Sequence, residues 1–227
     1  MWLNPQSWAV ISGLASKEQA EAALESVHRE LSTPYGCRLM APSYVDHAFD
    51  GALMLLFNPS TKENGGIFSQ PQGWIILAEA LMGHGDRAFE YFTNSSPACM
   101  NDKAEIRKLE PYCHGQFTES SESPFEGRSH VHWLTGTAST VMVGCVEGIL
   151  GMRPDFGGIK IAPSISSEWK NLEINKDFRG KKLHIVINNP DGAECGYKSI
   201  ILNGKELDNN YIPADMLTKE NEIIYNM

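Results

Sequence analysis

The chain has 227 residues, of which 42% are hydrophobic and 21% are charged, a composition typical of a globular protein of one or two domains. Its net charge is −9, and residues 1–155 carry 10 basic against 18 acidic side chains, which argues against nucleic-acid binding. Apolar stretches such as Ile75–Leu77 are far too short to span a membrane, and Met1–Val10 lacks a basic signal-peptide region. We therefore expect a cytoplasmic protein that binds neither nucleic acid nor membrane.

The five cysteines are odd in number and widely spaced, and no CxxC pair occurs, so we expect reduced thiols. His130 and His132 face the same side of an extended segment, but too few further ligands accompany them for a metal site. We expect both histidines to be hydrogen-bonded structural residues, and we predict neither a metal nor a cofactor.

Residues 1–155 show helical periodicity. Ser16 to Gln19 have the spacing of a capping box, and apolar residues then recur at helical intervals along one face. A second amphipathic run begins at Trp74 and stops at Gly83, after which we expect Asp86 to cap the next helix.

The stretch Leu134–Leu150 is rich in small residues and free of proline, which predicts a helix buried on most sides. Long segments at 34–70 and 95–132 separate the helices. Loops of this length are usually functional or disordered, and their many aromatic and apolar residues favour a functional role. After Gly157 the apolar residues alternate in short segments, with a turn at Asn203-Gly204, a pattern typical of antiparallel strands.

These patterns predict a mainly α fold with a β appendage. We expect residues 1–155 to form part of an α/α barrel, and residues 156–227 to form a small antiparallel β domain of the sandwich type.

The segment Trp133–Thr140 places hydroxyl groups and Gly136 where a helix is expected to begin. Unpaired backbone N–H groups at such a position can bind an oxyanion such as phosphate. On the residues alone, a threonine N-cap followed by small residues that let helices pack closely is the favoured alternative.

The segment Asn58–Phe68 combines a cation, a carboxylate, amides and a glycine pair. Lys62 and Asn64 can hydrogen-bond sugar hydroxyls, while Phe57 or Phe68 can offer an apolar face to a sugar ring. A solvated turn is the alternative.

A third polar segment, Glu105–Phe117, contains Gln116, which can bind hydroxyl groups, and Arg107, which we expect to pair with a carboxylate. No matched pair of carboxylates of the kind that glycoside hydrolases use can be identified.

Six segments occur in a fixed order along the chain: Asn4–Trp8, Lys62–Phe68, Glu110–Tyr112, Trp133–Ala138, Ile149–Pro154 and 158–170. Together they resemble the glycoside phosphorylases of glycoside hydrolase family 94, and the resemblance covers essentially the whole chain.

The resemblance implies an inverting enzyme, a hexosyltransferase that uses phosphate to cleave a β-1,4-linked disaccharide into a sugar 1-phosphate and a monosaccharide. The fold would be the C-terminal half of an (α/α)6 barrel followed by the β domain. By position, the resemblance assigns phosphate binding to Gln70, Thr135 and Gly136, and sugar binding to Lys62, Gln116 and Phe57. The disaccharide and inorganic phosphate, a co-substrate, would be the binding partners, and the parent enzyme would be a homodimer.

The chain departs from the family pattern at two points. The family usually has a phosphate-binding histidine where this chain has Gln70, which cannot add positive charge. The family's general acid is an aspartate that we expect upstream of Asn4, so we predict no catalytic acid in this chain and no activity of the chain alone.

The segments around 116–133 are most similar to family members that act on N,N'-diacetylchitobiose. The alternatives are a fragment of a cellobiose or cellodextrin phosphorylase, and a carbohydrate-binding fragment without catalytic activity. A truncated product that folds poorly, because helix faces lack their neighbours, is a third possibility.

Overall fold

The computed structural model describes residues 1–45 and 53–227. The chain divides into two compact units, one formed by residues 1–78 and 90–144, the other by residues 79–89 and 145–227. The domain boundary at residues 155 and 156 stays a prediction, and the part of the 34–70 segment at 46–52 lies outside the described residues.

The helices that lie wholly or partly in the first unit are α1 (Leu3–Ile11), α2 (Lys17–Leu31), α3 (Gln70–Met82), α4 (Gly85–Ser95), α5 (Ala104–Arg107) and α6 (Thr137–Val143), with 3-10 helices at Leu53–Leu56 and Pro97–Lys103. The end of α3 and the start of α4, within residues 79–89, belong to the second unit. The predicted capping box is confirmed, because the Ser16 hydroxyl accepts from the Gln19 amide and the Ser16 amide donates to the Gln19 side chain. The predicted end of α3 is confirmed as well, since Gly83 follows it with a φ of 88°.

Two small antiparallel sheets complete the first unit. They consist of β1 (Ser32–Thr33) with β2 (Gly36–Cys37), and of β3 (Ile67–Phe68), β4 (Gly115–Thr118) and β5 (Ser129–His132) in that order. The second sheet pairs Phe68 with Phe117 and Gly115 with His132. It therefore joins the two long segments that the sequence separates.

The strands of the second unit form a five-stranded sheet of order β11-β10-β13-β9-β8 and a three-stranded sheet of order β12-β7-β6. They are β6 (Met152–Pro154), β7 (Gly158–Ile161), β8 (Asn171–Phe178), β9 (Lys181–Asn188), β10 (Ser199–Leu202), β11 (Lys205–Leu207), β12 (Tyr211–Pro213) and β13 (Glu220–Asn226), with a 3-10 helix at Ala214–Met216. Alternate residues of β9, Leu183, Ile185 and Ile187, are buried, as the period-two pattern predicts.

The prediction of a purely antiparallel β region is wrong at one strand pair. β13 lies between β10 and β9 and runs parallel to β9, from Glu220 opposite Lys182 to Asn226 opposite Asn188. A parallel pair needs a long crossover connection, and residues 189–219 supply it.

The helix predicted over Leu134–Leu150 is also partly wrong. α6 begins only at Thr137, and from Gly144 to Ile149 the chain is a π-helix. Met142 and Leu134 are exposed, so this stretch is not buried on most sides.

Asp86 does not act as the predicted N-cap, because it lies within the first turn of α4. Its carboxylate instead accepts hydrogen bonds from the Ser166 hydroxyl and from the amide and hydroxyl of Ser167, at 2.8–2.9 Å. Asp86 thereby fixes the loop before β8 to the start of α4 within the second unit.

Helices and several small sheets thus make up the described chain, with two of the sheets inside the region that the sequence predicts as helix and loop. Among the described residues, no helix combines the length and apolar character needed to cross a bilayer.

Candidate functional site

The start of α6 and the start of α3 lie side by side in the first unit. The Thr140 hydroxyl donates to the Gln70 carbonyl at 2.9 Å. A Cβ atom placed on Gly136 would lie 3.4 Å from both Cδ and Nε2 of Gln70. The structure therefore brings Gln70 and Gly136 together, two of the residues to which the family resemblance assigns phosphate binding.

Thr135 lies in the turn that leads into α6. Its hydroxyl accepts from the Thr137 amide at 3.3 Å and lies 2.5 Å from the Thr137 hydroxyl. The N-cap residue itself is Gly136, which carries no side chain that could cap the helix. A simple threonine N-cap is therefore wrong, whereas the close helix packing expected from the small residues is observed between Gly73 and Thr140.

Lys62 lies beside two aromatic rings. Its ammonium nitrogen is 5.5 Å from the centroid of Phe57 and 5.9 Å from that of Phe117. Cations bind the faces of aromatic rings, but such contacts satisfy none of the three N–H donors of an ammonium group. In the described part of the chain, no carboxylate or carbonyl accepts a hydrogen bond from this nitrogen, so Lys62 can donate to a ligand.

Gln116 lies between two sets of predicted site residues, Lys62 with Phe57 and Gln70 with Gly136. It precedes Phe117 in β4, and its carbonyl accepts from the Ser69 amide at 3.0 Å, directly before Gln70. The side chain of Gln116 is half-buried. Two neighbouring residues of β4 thus contact the two parts of the site. The Phe117 ring contacts the Lys62 ammonium, and the Gln116 carbonyl binds Ser69 at the start of α3.

Asn64 is not available to a sugar, contrary to the prediction. It is fully buried, and its Oδ1 accepts from the Tyr44 amide at 2.7 Å. Its Nδ2 donates to the carbonyls of Tyr44 and Phe57 at 2.9 and 3.0 Å. The side-chain oxygen and nitrogen of Asn64 are thus both used in hydrogen bonds to the backbone of Tyr44 and Phe57.

Arg38 and Glu122 form a contact that the sequence does not predict. The buried Arg38 guanidinium donates to the Glu122 carboxylate at 2.8 Å, and the same oxygen accepts from the hydroxyls of Ser43 and Ser60. Partial burial tends to raise the pKa of Glu122, but these hydroxyls and the Arg38 charge outweigh it and hold the pKa below its usual value. In the sequence, Gly65-Gly66 and the nearby serines indicate only a tight turn. Nothing in the sequence distinguishes Glu122 from the other glutamates.

Arg107 does not pair with a carboxylate in the described part of the chain. It is buried and donates to the backbone carbonyls of Glu110, at 2.8 Å, and of Cys113. Burial lowers the pKa of Arg107. Its role is to close the turn before β4.

The two histidines of β5 contact different carboxylates. His130 Nε2 lies 2.6 Å from Glu119 Oε1, whereas His132 Nδ1 lies 3.3 Å from Glu110 Oε2. The backbone turns between them, since Val131 has a φ of 56°. Within residues 1–45 and 53–227, no group of three or more His, Cys, Asp or Glu residues is arranged to hold a metal ion.

Comparison with known proteins relates this geometry to a family. The sequence model described as "Glycosyl hydrolase 94 superfamily, catalytic domain" matches residues 1–151. The N,N'-diacetylchitobiose phosphorylase of Vibrio proteolyticus is 36% identical over 98% of this chain, and that of Vibrio furnissii is 36% identical over 97%. The solabiose phosphorylase of Paenibacillus borealis is 29% identical over 98%.

The chain covers only 28%, 27% and 29% of the lengths of these three relatives. The match to the family model nevertheless includes all six predicted site residues and both helix starts that flank Gln70 and Gly136. The chain belongs to the glycosyl hydrolase 94 superfamily.

Proposed function

We propose that this chain supplies the phosphate-binding and donor-sugar-binding part of an inverting disaccharide phosphorylase. The first unit would be the C-terminal half of an (α/α)6 barrel, and the missing half would complete the site. The observation that carries the proposal is the Lys62 ammonium, which two aromatic rings flank and which β4 links to the start of α3.

In this function, Lys62 and Gln116 donate hydrogen bonds to hydroxyl groups of the donor sugar, while Phe57 offers an apolar face near the acceptor sugar. The Thr135 hydroxyl, the backbone of Gly136 and the Gln70 amide hold inorganic phosphate. All three phosphate contacts are neutral, so they orient the anion without adding positive charge.

The reaction exchanges one bond for another. A phosphate oxygen attacks the anomeric carbon as the glycosidic bond breaks, and the leaving oxygen takes a proton from a general acid. We assign this acid to an aspartate outside the chain. The residues of this chain bind and orient the two reactants.

We propose N,N'-diacetylchitobiose as the disaccharide, because the two Vibrio relatives are named for it and are 36% identical to this chain. Cellobiose is the alternative, since Phe57 can contact a glucose ring as well as an N-acetylated one.

The test measures inorganic phosphate released from N-acetylglucosamine 1-phosphate and N-acetylglucosamine. It uses the 227-residue chain and a form extended upstream to complete the catalytic domain. We expect release only with the extended form, and a loss of about 10- to 100-fold in kcat/KM in Lys62→Met, since hydrogen bonds to charged groups contribute about 1.5–3 kcal/mol.

Lys198→Met is the matched control, because Lys198 is an exposed lysine paired with Asp191 in the second unit. Release with glucose 1-phosphate and glucose instead would favour cellobiose. No release with either sugar pair would overturn the proposal, and activity of the short chain would show that its own carboxylates supply the acid.

A carbohydrate-binding role without catalysis is the second candidate, and the neutral Gln70 beside Gly136 favours it. In that case the extended form would bind the disaccharide in a calorimetric titration, but it would not release phosphate from N-acetylglucosamine 1-phosphate.

A further inference from the structure

We propose that Arg38 and Glu122 are positioning residues, which hold the backbone of Lys62 in the conformation that presents its ammonium group to the sugar. This inference rests on the sugar-binding role proposed above for Lys62.

Ser60 is the point at which this arrangement meets the Lys62 segment. Its hydroxyl donates to the Glu122 carboxylate at 3.0 Å and accepts from the Glu122 amide at 3.0 Å. Its backbone N–H donates to the Ser43 hydroxyl at 3.1 Å, and its carbonyl accepts from the Ser120 amide at 3.0 Å. Ser60 is fully buried, so these bonds are shielded from water.

Arg38 holds the other end of the same segment. Its Nε donates to the Gly65 carbonyl at 3.3 Å, and the Ser120 hydroxyl donates to the same carbonyl at 2.6 Å. Arg38 therefore binds Gly65 on one side and Glu122 on the other, which fixes both ends of the segment 60–65.

Between these two ends the backbone forms a tight turn. Ser60 has a φ of 63° and Lys62 a φ of 44°, values that residues with side chains adopt rarely. Within the turn, the Ser60 amide donates to the Asn64 carbonyl at 2.7 Å, and the Gly66 amide donates to the Lys62 carbonyl at 3.0 Å. A strained conformation persists only where surrounding contacts enforce it, and the contacts here are those of Arg38, Glu122 and Ser43.

Glu122 matters through its charge as well as through its hydrogen bonds. Arg38 is only 8% exposed, so removal of the carboxylate charge would leave a buried cation without its counterion. Arg38 would then move toward water, and the Gly65 end of the turn would be released. The effect would reach the sugar only through Lys62.

The experiment is a double-mutant cycle in the extended form, with Glu122→Gln, Lys62→Met and both changes together. We expect Glu122→Gln to lower kcat/KM in phosphorolysis about 10-fold, mainly by raising KM, and to have less than a twofold effect when Lys62 is already methionine. Asp191→Asn is the control, because it makes the same chemical change in an exposed ion pair of the second unit.

Hydrogen exchange of the Asn64 and Gly66 amides, measured in the 227-residue chain, gives a readout independent of activity. We expect both amides to lose protection in Glu122→Gln but not in Asp191→Asn. If Glu122→Gln does not fold, Ser60→Gly replaces it, since glycine tolerates the positive φ and removes only the hydroxyl that meets Glu122.

Equal losses in the presence and in the absence of the Lys62 side chain would overturn the inference, as would unchanged protection of the two amides. If no sugar acts as substrate, or if Lys62→Met changes nothing, the function proposed for Lys62 fails instead. The two failures are therefore distinguishable.

Discussion

Gly73 of α3 lies directly against the backbone of Thr140 of α6: a Cβ atom on Gly73 would lie 2.2 Å from the carbonyl carbon of Thr140. From the other helix, a Cβ atom on Gly144 would lie 2.8 Å from the Gly73 carbonyl oxygen. Two glycines thus let the helices approach until their backbones touch. This approach sets the distance between Gln70 and Gly136.

We expect Gly73→Ala to destabilise the chain by about 1–3 kcal/mol or more, because the methyl group meets backbone atoms that cannot rotate away. Thermal unfolding measures the effect. An unfolding temperature equal to that of the unsubstituted chain would show that α3 and α6 are not in this contact.

Gly136→Ala should leave stability nearly unchanged but weaken phosphate binding. Gly136 has a φ of −82°, and its added Cβ would make only ordinary contact, 3.4 Å, with the Gln70 amide. We expect little change in stability, about 0.5 kcal/mol or less. Phosphate binding should weaken at least several-fold, because the methyl group occupies the space beside the backbone. Phosphate titration with and without disaccharide in the extended form tests this; unchanged affinity would remove Gly136 from the phosphate site.

Gln70→His restores the residue type that the family resemblance implies at this position. An imidazolium adds a charge-assisted hydrogen bond, so we expect phosphate to bind about 10-fold more tightly below pH 6. The gain should disappear above pH 7.5, where an ordinary histidine of pKa about 6.5 is neutral. A calorimetric titration at both pH values measures it, and the unsubstituted protein titrated at the same two pH values is the control.

The depressed pKa of Glu122 links stability to pH. Because its folded-state pKa lies below the usual 4.5, Glu122 contributes stability that is present above that value and is lost as the pH falls through the folded-state pKa. We expect Glu122→Gln to be less stable than the unsubstituted chain at pH 7, and the difference to shrink as the pH drops below 4. Denaturant unfolding at pH 7 and at pH 3.5 provides the comparison. A difference independent of pH would mean that the carboxylate charge is not involved.

Asp86 gives an equivalent test in the second unit. Desolvation tends to raise its pKa, but hydrogen bonds from the backbone and side chain of Ser167 and from Ser166 lower it overall. We expect Asp86→Asn to cost about 1 kcal/mol at pH 7, since an amide cannot accept all three bonds at the strength of a carboxylate. The loss should diminish at acid pH as Asp86 becomes protonated. Equal stability of the two proteins at pH 7 would contradict this role.

Features that depend on neighbouring residues follow from the sequence. The capping box from Ser16 to Gln19 and the stop of α3 at Gly83 are local hydrogen-bond and backbone requirements, and both are found in the structure. The buried alternation of β9 follows from the period of a strand. In the same way, Lys62 and Gly136 stand out by residue type and spacing, whereas Gln70 is assigned only by the family resemblance.

Features that depend on distant partners do not follow from the sequence. Arg38 and Glu122 are 84 residues apart, and neither stands in a motif. Asn64 looks like a sugar ligand until its partners Tyr44 and Phe57 are known. The parallel pairing of β13 with β9 depends on where a long connection returns, which strand periodicity does not specify.

The sequence by itself thus determined the start of α2, the end of α3, the buried face of β9 and several polar residues that can contact a ligand. Only the tertiary structure decided which of these polar residues remain available, because a buried donor or acceptor is satisfied by whichever group packing brings beside it. The Asn64 side chain is used in hydrogen bonds to the backbone of Tyr44 and Phe57, and the Arg38 guanidinium in bonds to Gly65 and Glu122. The Lys62 ammonium instead lies beside two aromatic rings.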